Sequence, residues 1–293
     1  MLARTKGEST FSVFNTIFMI FMIIITIYPM YFCVVASFSD PIQLSLNPGI
    51  IFLPFRPYTI EAYKKVLQHS LILSGMQNTL FVVTVGTTLN IVLTMLTAYV
   101  LSRKGLMLNR FLTLLIIFTM YFSGGMIPSY LNVKDFGMIN SLWSLIIPGA
   151  ISTYNMIIMR TAFASLPESL SESAEIDGAK QLTILARIMI PLSIPTIAVL
   201  ILYYGVGHWN SWFSAFIYIQ TPAKYPLQLV MRNILESANV DEMLGDVGGE
   251  DQARYVELIK YALIVISTVP ILVLYPFLQK YFVKGIMIGA IKG

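Results

Sequence analysis

The sequence predicts an all-α polytopic membrane protein with six transmembrane helices. Its 293 residues are 56% hydrophobic and only 12% charged, with a mean hydropathy of +0.74. A soluble domain carries about 25% charged residues, so this composition excludes a disordered protein and most soluble enzymes. One cysteine, Cys33, excludes an intrachain disulfide and a multi-cysteine metal site.

Six charge-free stretches are long enough for a bilayer, which takes about 20 mostly apolar residues to cross. They cover 9–39, 66–102, 111–133, 136–159, 188–223 and 261–279. The first follows Arg4 and Lys6, as the apolar part of a signal peptide would. At 31 residues it is about twice as long as that part, so we expect a retained first helix.

Six spans place both termini on one side of the membrane, and basic residues favour the cytoplasmic side. With the N-terminus inside, 11 of the 19 Lys and Arg residues lie in the cytoplasm. The net charge is then +6 inside and −2 outside. We therefore expect an N-in, C-in orientation.

Breaks and polar residues within the spans indicate a bundle with a polar interior. Ser123-Gly124-Gly125 interrupts the third stretch, and such breaks are tolerated where the backbone faces protein or water. Polar and aromatic residues of the spans either bond a neighbouring helix or line a path. The candidates for a translocation path are Asn78, Tyr121, Asn155, Tyr204, His208, Trp209, Asn210 and Trp212. For His208, we expect a packed, hydrogen-bonded side chain rather than a substrate contact.

The segment 160–191 between the fourth and fifth stretches has helical patterns of its own. Ser165-Leu166-Pro167-Glu168 has the spacing of a capping box. The helix that follows has an acidic face and an apolar stripe beside it. The acidic face contains Glu168, Glu172 and Glu175, and the stripe contains Leu166, Leu170 and Ala174.

Asp177-Gly178 predicts the end of this helix, because glycine is common just beyond helix ends. A second amphipathic helix follows and runs into Pro191. Its predicted apolar face contains Leu182, Leu185 and Met189. Three acids on one face are unfavourable at the negative cytoplasmic leaflet, so a protein partner with a basic, partly apolar groove suits this surface better.

The segment resembles the EAA motif, E-A-A-x3-G-x9-I-x-L-P, of permease subunits in binding-protein-dependent ABC importers. Glu172-Ser173-Ala174 is followed after three residues by Gly178 and after nine more by Ile188-Met189-Ile190-Pro191. Ser173 and Ile190 depart from the pattern. Residues 166–179 also resemble the extended form in carbohydrate importers, L-P-x-E-L-x-E-A-A-x-I-D-G-A.

Further positions extend the resemblance over most of the chain: Asn78-Thr79, Ala98-Tyr99, Ser102-Arg103, Trp209-Asn210, 279–285 and 289–293. The resemblance implies a type I ABC importer (MetI-like) permease fold in a bacterial cytoplasmic (inner) membrane. It also implies a single transmembrane domain, 1–293, with a core permease region, 75–280. The tail most resembles the branch that imports oligo- and polysaccharides, including acidic ones such as alginate.

The resemblance further makes 160–191 a coupling loop that docks on a cytoplasmic ATPase. The implied coupling residues are Glu168, Glu172, Ser173, Ala174, Asp177 and Gly178. In that arrangement Glu172 meets a basic residue of the ATPase and Gly178 supplies a sharp turn. The implied partners are a second homologous permease, two ABC ATPase subunits, an extracytoplasmic solute-binding protein, a carbohydrate and membrane lipid, with no nucleic acid.

The chain itself is not expected to be an enzyme or to hold a cofactor or metal. It contains no G-x-x-x-x-G-K-[ST] sequence, so ATP and Mg are expected on the partner subunits. The acidic loop Ser237–Asp251 lacks the order of a calcium loop and is expected to be solvated, with the binding protein as a candidate contact.

Three alternatives remain beside the carbohydrate importer. An intramembrane enzyme is disfavoured because no Asp or Glu lies within the six stretches. An ion-coupled secondary transporter usually carries carboxylates near the midplane and internal repeats, and neither is evident. The third alternative is a permease of an ABC importer for a non-sugar solute.

Overall fold

The computed structural model describes residues 6–47, 49–103, 105, 107–236, 256–273 and 276, and the regular structure in this part of the chain is helical. The α-helices are α1 (Lys6–Ser37), α2 (Pro41–Leu46), α3 (Glu61–Gln68), α4 (Ser70–Ser102), α5 (Asn109–Tyr121), α6 (Met126–Asp135), α7 (Thr153–Ala164), α8 (Glu168–Ile176), α9 (Gln181–Leu192), α10 (Ile194–Asn210), α11 (Phe213–Tyr218), α12 (Leu227–Glu236) and α13 (Val256–Val273). Short 3₁₀ turns form at Leu142–Leu145 and Pro222–Lys224.

Three of the described helices, α1, α4 and α13, are long and apolar enough to cross a membrane singly. Two bent pairs raise the number to as many as five: α5 with α6, bent by 112°, and α9 with α10, bent by 86°. Six spans and the N-in, C-in orientation therefore stay predictions.

The fourth predicted stretch, 136–159, does not form one long helix in the structure. It contains the Leu142–Leu145 turn, a non-helical segment and the first part of α7. Pro148-Gly149 explains the break, because proline has no backbone N–H to donate and glycine is a poor helix former. The sixth stretch is described only in part.

The predicted break at Ser123-Gly124-Gly125 is confirmed. Helix α5 ends at Tyr121 and α6 begins at Met126. Gly125 between them has φ +86°, in the left-handed region that glycine enters without the cost of a Cβ clash. The glycine thus permits the sharp turn between the two helices.

The chain divides into two compact units, and the described part of the first comprises 6–47, 49–69, 233–236 and 256–269. Polar side chains of α1 hold the loop that follows it. The Tyr28 hydroxyl accepts the Ile51 N–H at 2.9 Å, and the Ser37 hydroxyl lies 2.6 Å from that of Tyr63 on α3. Along most of α1 the apolar side chains are exposed in this chain.

The described part of the second unit comprises 70–103, 105, 107–232, 270–273 and 276, with α4 as its central helix. Helices α7 and α10 both pack against α4. The core they share includes Ile91, Ala98, Tyr99, Met156, Met159, Phe163, Ile184, Leu185, Met189, Leu200 and Tyr204. Burial of these side chains fixes the elements that carry the 160–191 segment.

Helix α9 contains a π-helical stretch, Leu185–Met189. The Ile190 N–H donates to the Leu185 carbonyl five residues earlier, rather than four as in an α-helix. The wider turn keeps both Leu185 and Met189 buried. Helix α10 begins at Ile194 after the 86° bend.

Candidate functional site

Helix α8 forms where the sequence predicts it, but its capping box does not form. The Ser165 hydroxyl donates to the Ala162 carbonyl at 2.8 Å, and Pro167 precedes the first helical residue, Glu168, without a side-chain cap. Ser165 still has helical backbone angles at the end of α7. A serine in that conformation bonds back to the preceding turn, which explains why the prediction is wrong.

The acidic face of α8 is exposed in this chain at all three positions, Glu168, Glu172 and Glu175. Its buried face is centred on Ser171 and Ala174 rather than on a leucine stripe. Ser171 is 3% exposed, with its hydroxyl 4.0 Å from the Met189 sulfur. Leu166 and Ala174 pack on the core as predicted, whereas Leu170 is 40% exposed and corrects the predicted stripe.

Two apolar side chains near the end of α8 are also exposed. Ile176 is 86% exposed and Leu182 is 69% exposed. The prediction that Leu182 shares a face with Leu185 and Met189 is wrong, because Ile184 is buried beside them instead. We call the exposed set the acidic–apolar surface: Glu168, Glu172, Glu175, Ile176 and Leu182.

Gly178 makes the predicted turn after α8. Its φ is +79°, its N–H donates to the Glu175 carbonyl at 3.0 Å, and the Ala179 N–H donates to the Ala174 carbonyl at 2.9 Å. This pair of bonds is the Schellman arrangement, which favours glycine at the left-handed position. Ser173 and Asp177, the other predicted coupling residues, are exposed.

Two polar side chains tie both flanks of α8 to the end of α4. Arg160 on α7 donates through Nε to the Leu101 carbonyl at 2.9 Å, and Gln181 on α9 accepts the Tyr99 hydroxyl through Oε1 at 2.6 Å. Sequence reasoning missed the two contacts. An isolated arginine or glutamine in an amphipathic stretch has the same pattern as a solvated residue.

A polar cluster within the core joins α4 to α10. Asn90 is fully buried, and its Oδ1 accepts a hydrogen bond from His208 Nε2 at 2.7 Å. Its amide nitrogen donates to the carbonyls of Gly149 at 3.0 Å and Ala150 at 2.8 Å. The expected hydrogen-bonded state of His208 is therefore confirmed.

One helical turn away, the Thr94 and Tyr204 hydroxyls lie 2.7 Å apart. The Tyr204 hydroxyl also accepts the Ser152 N–H at 3.1 Å. We call Asn90, Thr94, Tyr204 and His208 the polar clamp. It satisfies backbone groups of the non-helical chain before α7 that have no helical partner, as non-helical backbone requires inside a membrane.

The eight predicted path residues have different environments in this chain. Asn155, Tyr204 and Trp209 are buried; Asn78, His208 and Trp212 are half-buried; Tyr121 and Asn210 are exposed. Asn78 donates to the Ala223 carbonyl at 2.9 Å and the Tyr225 carbonyl at 3.1 Å. The Arg232 guanidinium lies 4.3 Å from the centre of the Trp212 ring. A role in the path stays a prediction for all eight.

Among the described residues, no group of three or more His, Cys, Asp or Glu side chains is arranged to hold a metal ion. The predicted contact loop 237–251 lies outside the described residues, as do positions 279–293 of the family-like tail.

Comparison with known proteins decides the family. The family model of the binding-protein-dependent transport system inner membrane component matches residues 72–288. The chain belongs to this permease family. The match covers most of α4, the whole 160–191 segment and α10, so the resemblance to importer permeases is confirmed.

Curated relatives match this permease over nearly its whole length. Protein LplC of Bacillus subtilis (strain 168) is 41% identical, covering 99% of this chain and 97% of its own length. The polygalacturonan/rhamnogalacturonan transport system permease protein YtcP of the same strain is 37% identical, covering 94% of this chain and 96% of its own.

Two solved structures resemble the permease. One is the crystal structure of a bacterial ABC transporter involved in the import of the acidic polysaccharide alginate, at a TM-score of 0.85 and 28% identity, covering 96% of this chain and 100% of that chain. The other is a bacterial alginate ABC transporter in complex with a periplasmic protein bound to alginate pentasaccharide. At a TM-score of 0.51 and 17% identity, it shows the fold alone.

Proposed function

We propose that this permease is the transmembrane subunit of an ATP-driven ABC importer that moves oligo- or polysaccharides into the cytoplasm by alternating access, with acidic chains as the substrate class. The support is that a relative at 37% identity carries the name of a polygalacturonan and rhamnogalacturonan permease. The alginate importer with a TM-score of 0.85 also takes an acidic polysaccharide.

The observation that carries the ATP-driven mechanism is the acidic–apolar surface of the 160–191 segment. Carboxylates at Glu168 and Glu172 beside an 86% exposed Ile176 suit a groove with basic and apolar walls. We infer that α8 docks in such a groove on an ATPase subunit, with Glu172 facing a basic residue and Ser173, Ala174, Asp177 and Gly178 shaping the contact. ATP and Mg bind to that subunit.

The proposed assembly contains this permease, a second homologous permease, two ATPase subunits and an extracytoplasmic solute-binding protein in the bacterial inner membrane. Closure of the ATPases on ATP moves α8. Since α8 is packed on the core formed by α4, α7 and α9, its movement shifts the spanning helices between inward-facing and outward-facing states. ATP drives the change only if its binding differs between these states.

Reconstitution in proteoliposomes tests the proposal. The permease is expressed with its neighbouring transport genes, and uptake of radiolabelled oligogalacturonate and oligoalginate is measured with and without ATP. We expect ATP-dependent uptake and co-purification of an ATPase. Glu172→Lys should reduce both, because it places a cation against the basic groove.

Ser169→Lys is the matched control, since Ser169 is exposed on α8 but outside the acidic–apolar surface. Its effect should be much smaller than that of Glu172→Lys. Uptake that follows an ion gradient without any ATPase would contradict the proposal and favour a secondary transporter. ATP-dependent uptake of a non-sugar solute alone would contradict the substrate class.

A further inference from the structure

Four side chains form a continuous hydrogen-bond chain between the end of α4 and helix α8. The Arg103 guanidinium donates to the Tyr99 hydroxyl. That hydroxyl donates to Gln181 Oε1 at 2.6 Å, and Gln181 Nε2 donates to Glu175 Oε1 at 2.8 Å. This series of hydrogen bonds therefore starts at a cation one residue beyond α4 and ends at a carboxylate on α8.

The direction of donation is the same at every step. The Tyr99 hydroxyl accepts from one neighbour and donates to the next, and the Gln181 amide does the same. Only one orientation of that amide satisfies both of its partners. Hydrogen bonds that run head to tail between opposite charges polarise and strengthen one another.

The hydrogen bonds of this series are separate from the packing contacts of the same residues. The Tyr99 ring is buried and meets the Phe163 ring edge-on, with centroids 6.2 Å apart. Its hydroxyl makes the hydrogen bonds to Arg103 and Gln181. The Arg103 guanidinium also lies 4.5 Å from the centre of the Tyr99 ring. Removing the hydroxyl alone would therefore keep the ring contacts.

We propose that the chain Arg103–Tyr99–Gln181–Glu175 positions α8 relative to α4, so that the two helices move together when the ATPase acts. This inference rests on the proposed docking of α8. A second contact supports this role. Gln181 ties the segment after α8 to Tyr99, and Arg160 ties the segment before α8 to the Leu101 carbonyl. Without the chain, α8 would move without taking α4 with it.

The test uses the complete importer in proteoliposomes, with ATP hydrolysis and solute uptake measured on the same preparation. Tyr99→Phe should leave assembly and ATP hydrolysis in place. It should lower the solute imported per ATP roughly tenfold, the factor that corresponds to about 1.4 kcal/mol of lost coupling. Tyr203→Phe, on α10 with a 43% exposed ring, is the matched control and should leave this ratio unchanged.

A reciprocal exchange separates the chain from a purely structural role. Gln181→Glu alone places two carboxylates against each other and should lower the ratio. The double variant Glu175→Gln/Gln181→Glu should restore it, because the carboxylate at 181 accepts from Tyr99 and the amide at 175 donates to that carboxylate.

The outcomes distinguish this inference from the proposed function. A normal amount of solute imported per ATP in Tyr99→Phe, or no recovery in the double variant, would overturn the role of these hydrogen bonds. The proposed docking of α8 would then still stand. Failure of the unmodified permease to bind any ATPase would overturn the proposed function itself. Loss of assembly in Gln181→Glu with recovery in the double variant supports the chain.

Discussion

Gly86 on α4 makes room for a side chain of α10. A Cβ at this position would lie 2.7 Å from His208 Nε2, closer than real Cβ contacts come. Gly86→Ala should therefore displace His208 and break its bond to Asn90. Overpacking of this kind costs about 1–3 kcal/mol, so the midpoint of thermal unfolding in detergent should fall.

Gly207→Ala on α10 is the matched control for that variant. A Cβ there meets no atom within 4 Å, and alanine is a better helix former than glycine. Its unfolding midpoint should equal or exceed that of the unmodified permease. Equal midpoints for the Gly86 and Gly207 variants would contradict the close packing at His208.

Gly178 is constrained by its backbone rather than by its neighbours. Its φ of +79° is combined with open space around the Cβ position. Gly178→Val should strain the turn by about 1–2 kcal/mol and reduce ATP-driven uptake. Gly178→Asn has a similar volume but tolerates the left-handed region, so uptake by this variant should stay near that of the unmodified permease. An equal loss of uptake in the valine and asparagine variants would show that side-chain volume, and not backbone strain, is the cause.

At the scale of elements, the polar clamp holds the non-helical chain before α7. Asn90→Ala leaves the carbonyls of Gly149 and Ala150 without their donors, which costs about 1–3 kcal/mol for a buried group. The expected result is a lower unfolding midpoint together with faster proteolysis near residues 146–152. Thr88→Val removes a hydroxyl that bonds only within α4, to Thr84, and should have little effect. An unchanged unfolding midpoint in Asn90→Ala would contradict the role of the polar clamp in holding this segment.

The elements of the 160–191 segment show how far the sequence predicts structure. Local signals specify the length of α8, its acidic face and the turn at Gly178, because each depends on residues within one or two turns. The burial of Ser171 and the exposure of Leu182 depend on tertiary packing, such as the contact between Ser171 and Met189. The polar partners of Gln181 and Asn90 lie far away in sequence, so no local pattern reveals them.

At the scale of the molecule, the orientation in the membrane is open to a direct measurement. Cys33 is the one native cysteine, so Cys33→Ser provides a cysteine-free background. Ala164→Cys and Ser45→Cys place single thiols at exposed positions near the end of α7 and on α2. With an N-in, C-in orientation, an impermeant maleimide should label position 45 in right-side-out vesicles and position 164 in inside-out vesicles. The opposite labelling would reverse the orientation.

Hydropathy predicts an inner-membrane protein, which the family confirms, but it does not predict the continuity of the helices. Helices α1 and α4 are long and apolar enough to cross a membrane, as hydropathy predicts. The stretch 136–159 has the same apolar character, yet Pro148-Gly149 and the Asn90 contacts to the backbone divide it. Whether an apolar stretch stays helical is decided by side chains elsewhere that satisfy its free backbone groups.

The π-helical stretch Leu185–Met189 also determines where this chain tolerates a change of length. A turn closed over five residues contains one residue more than an α-helical turn. Deleting the exposed Ala186 would let the turn close as an α-helix, and Ile184 and Met189 would stay on the buried side of the helix. The same deletion in the middle of α4 would rotate every later residue by about 100°, one residue of a 3.6-residue turn. Deleting Ala186 should therefore lower the midpoint of thermal unfolding far less than deleting one residue from the middle of α4.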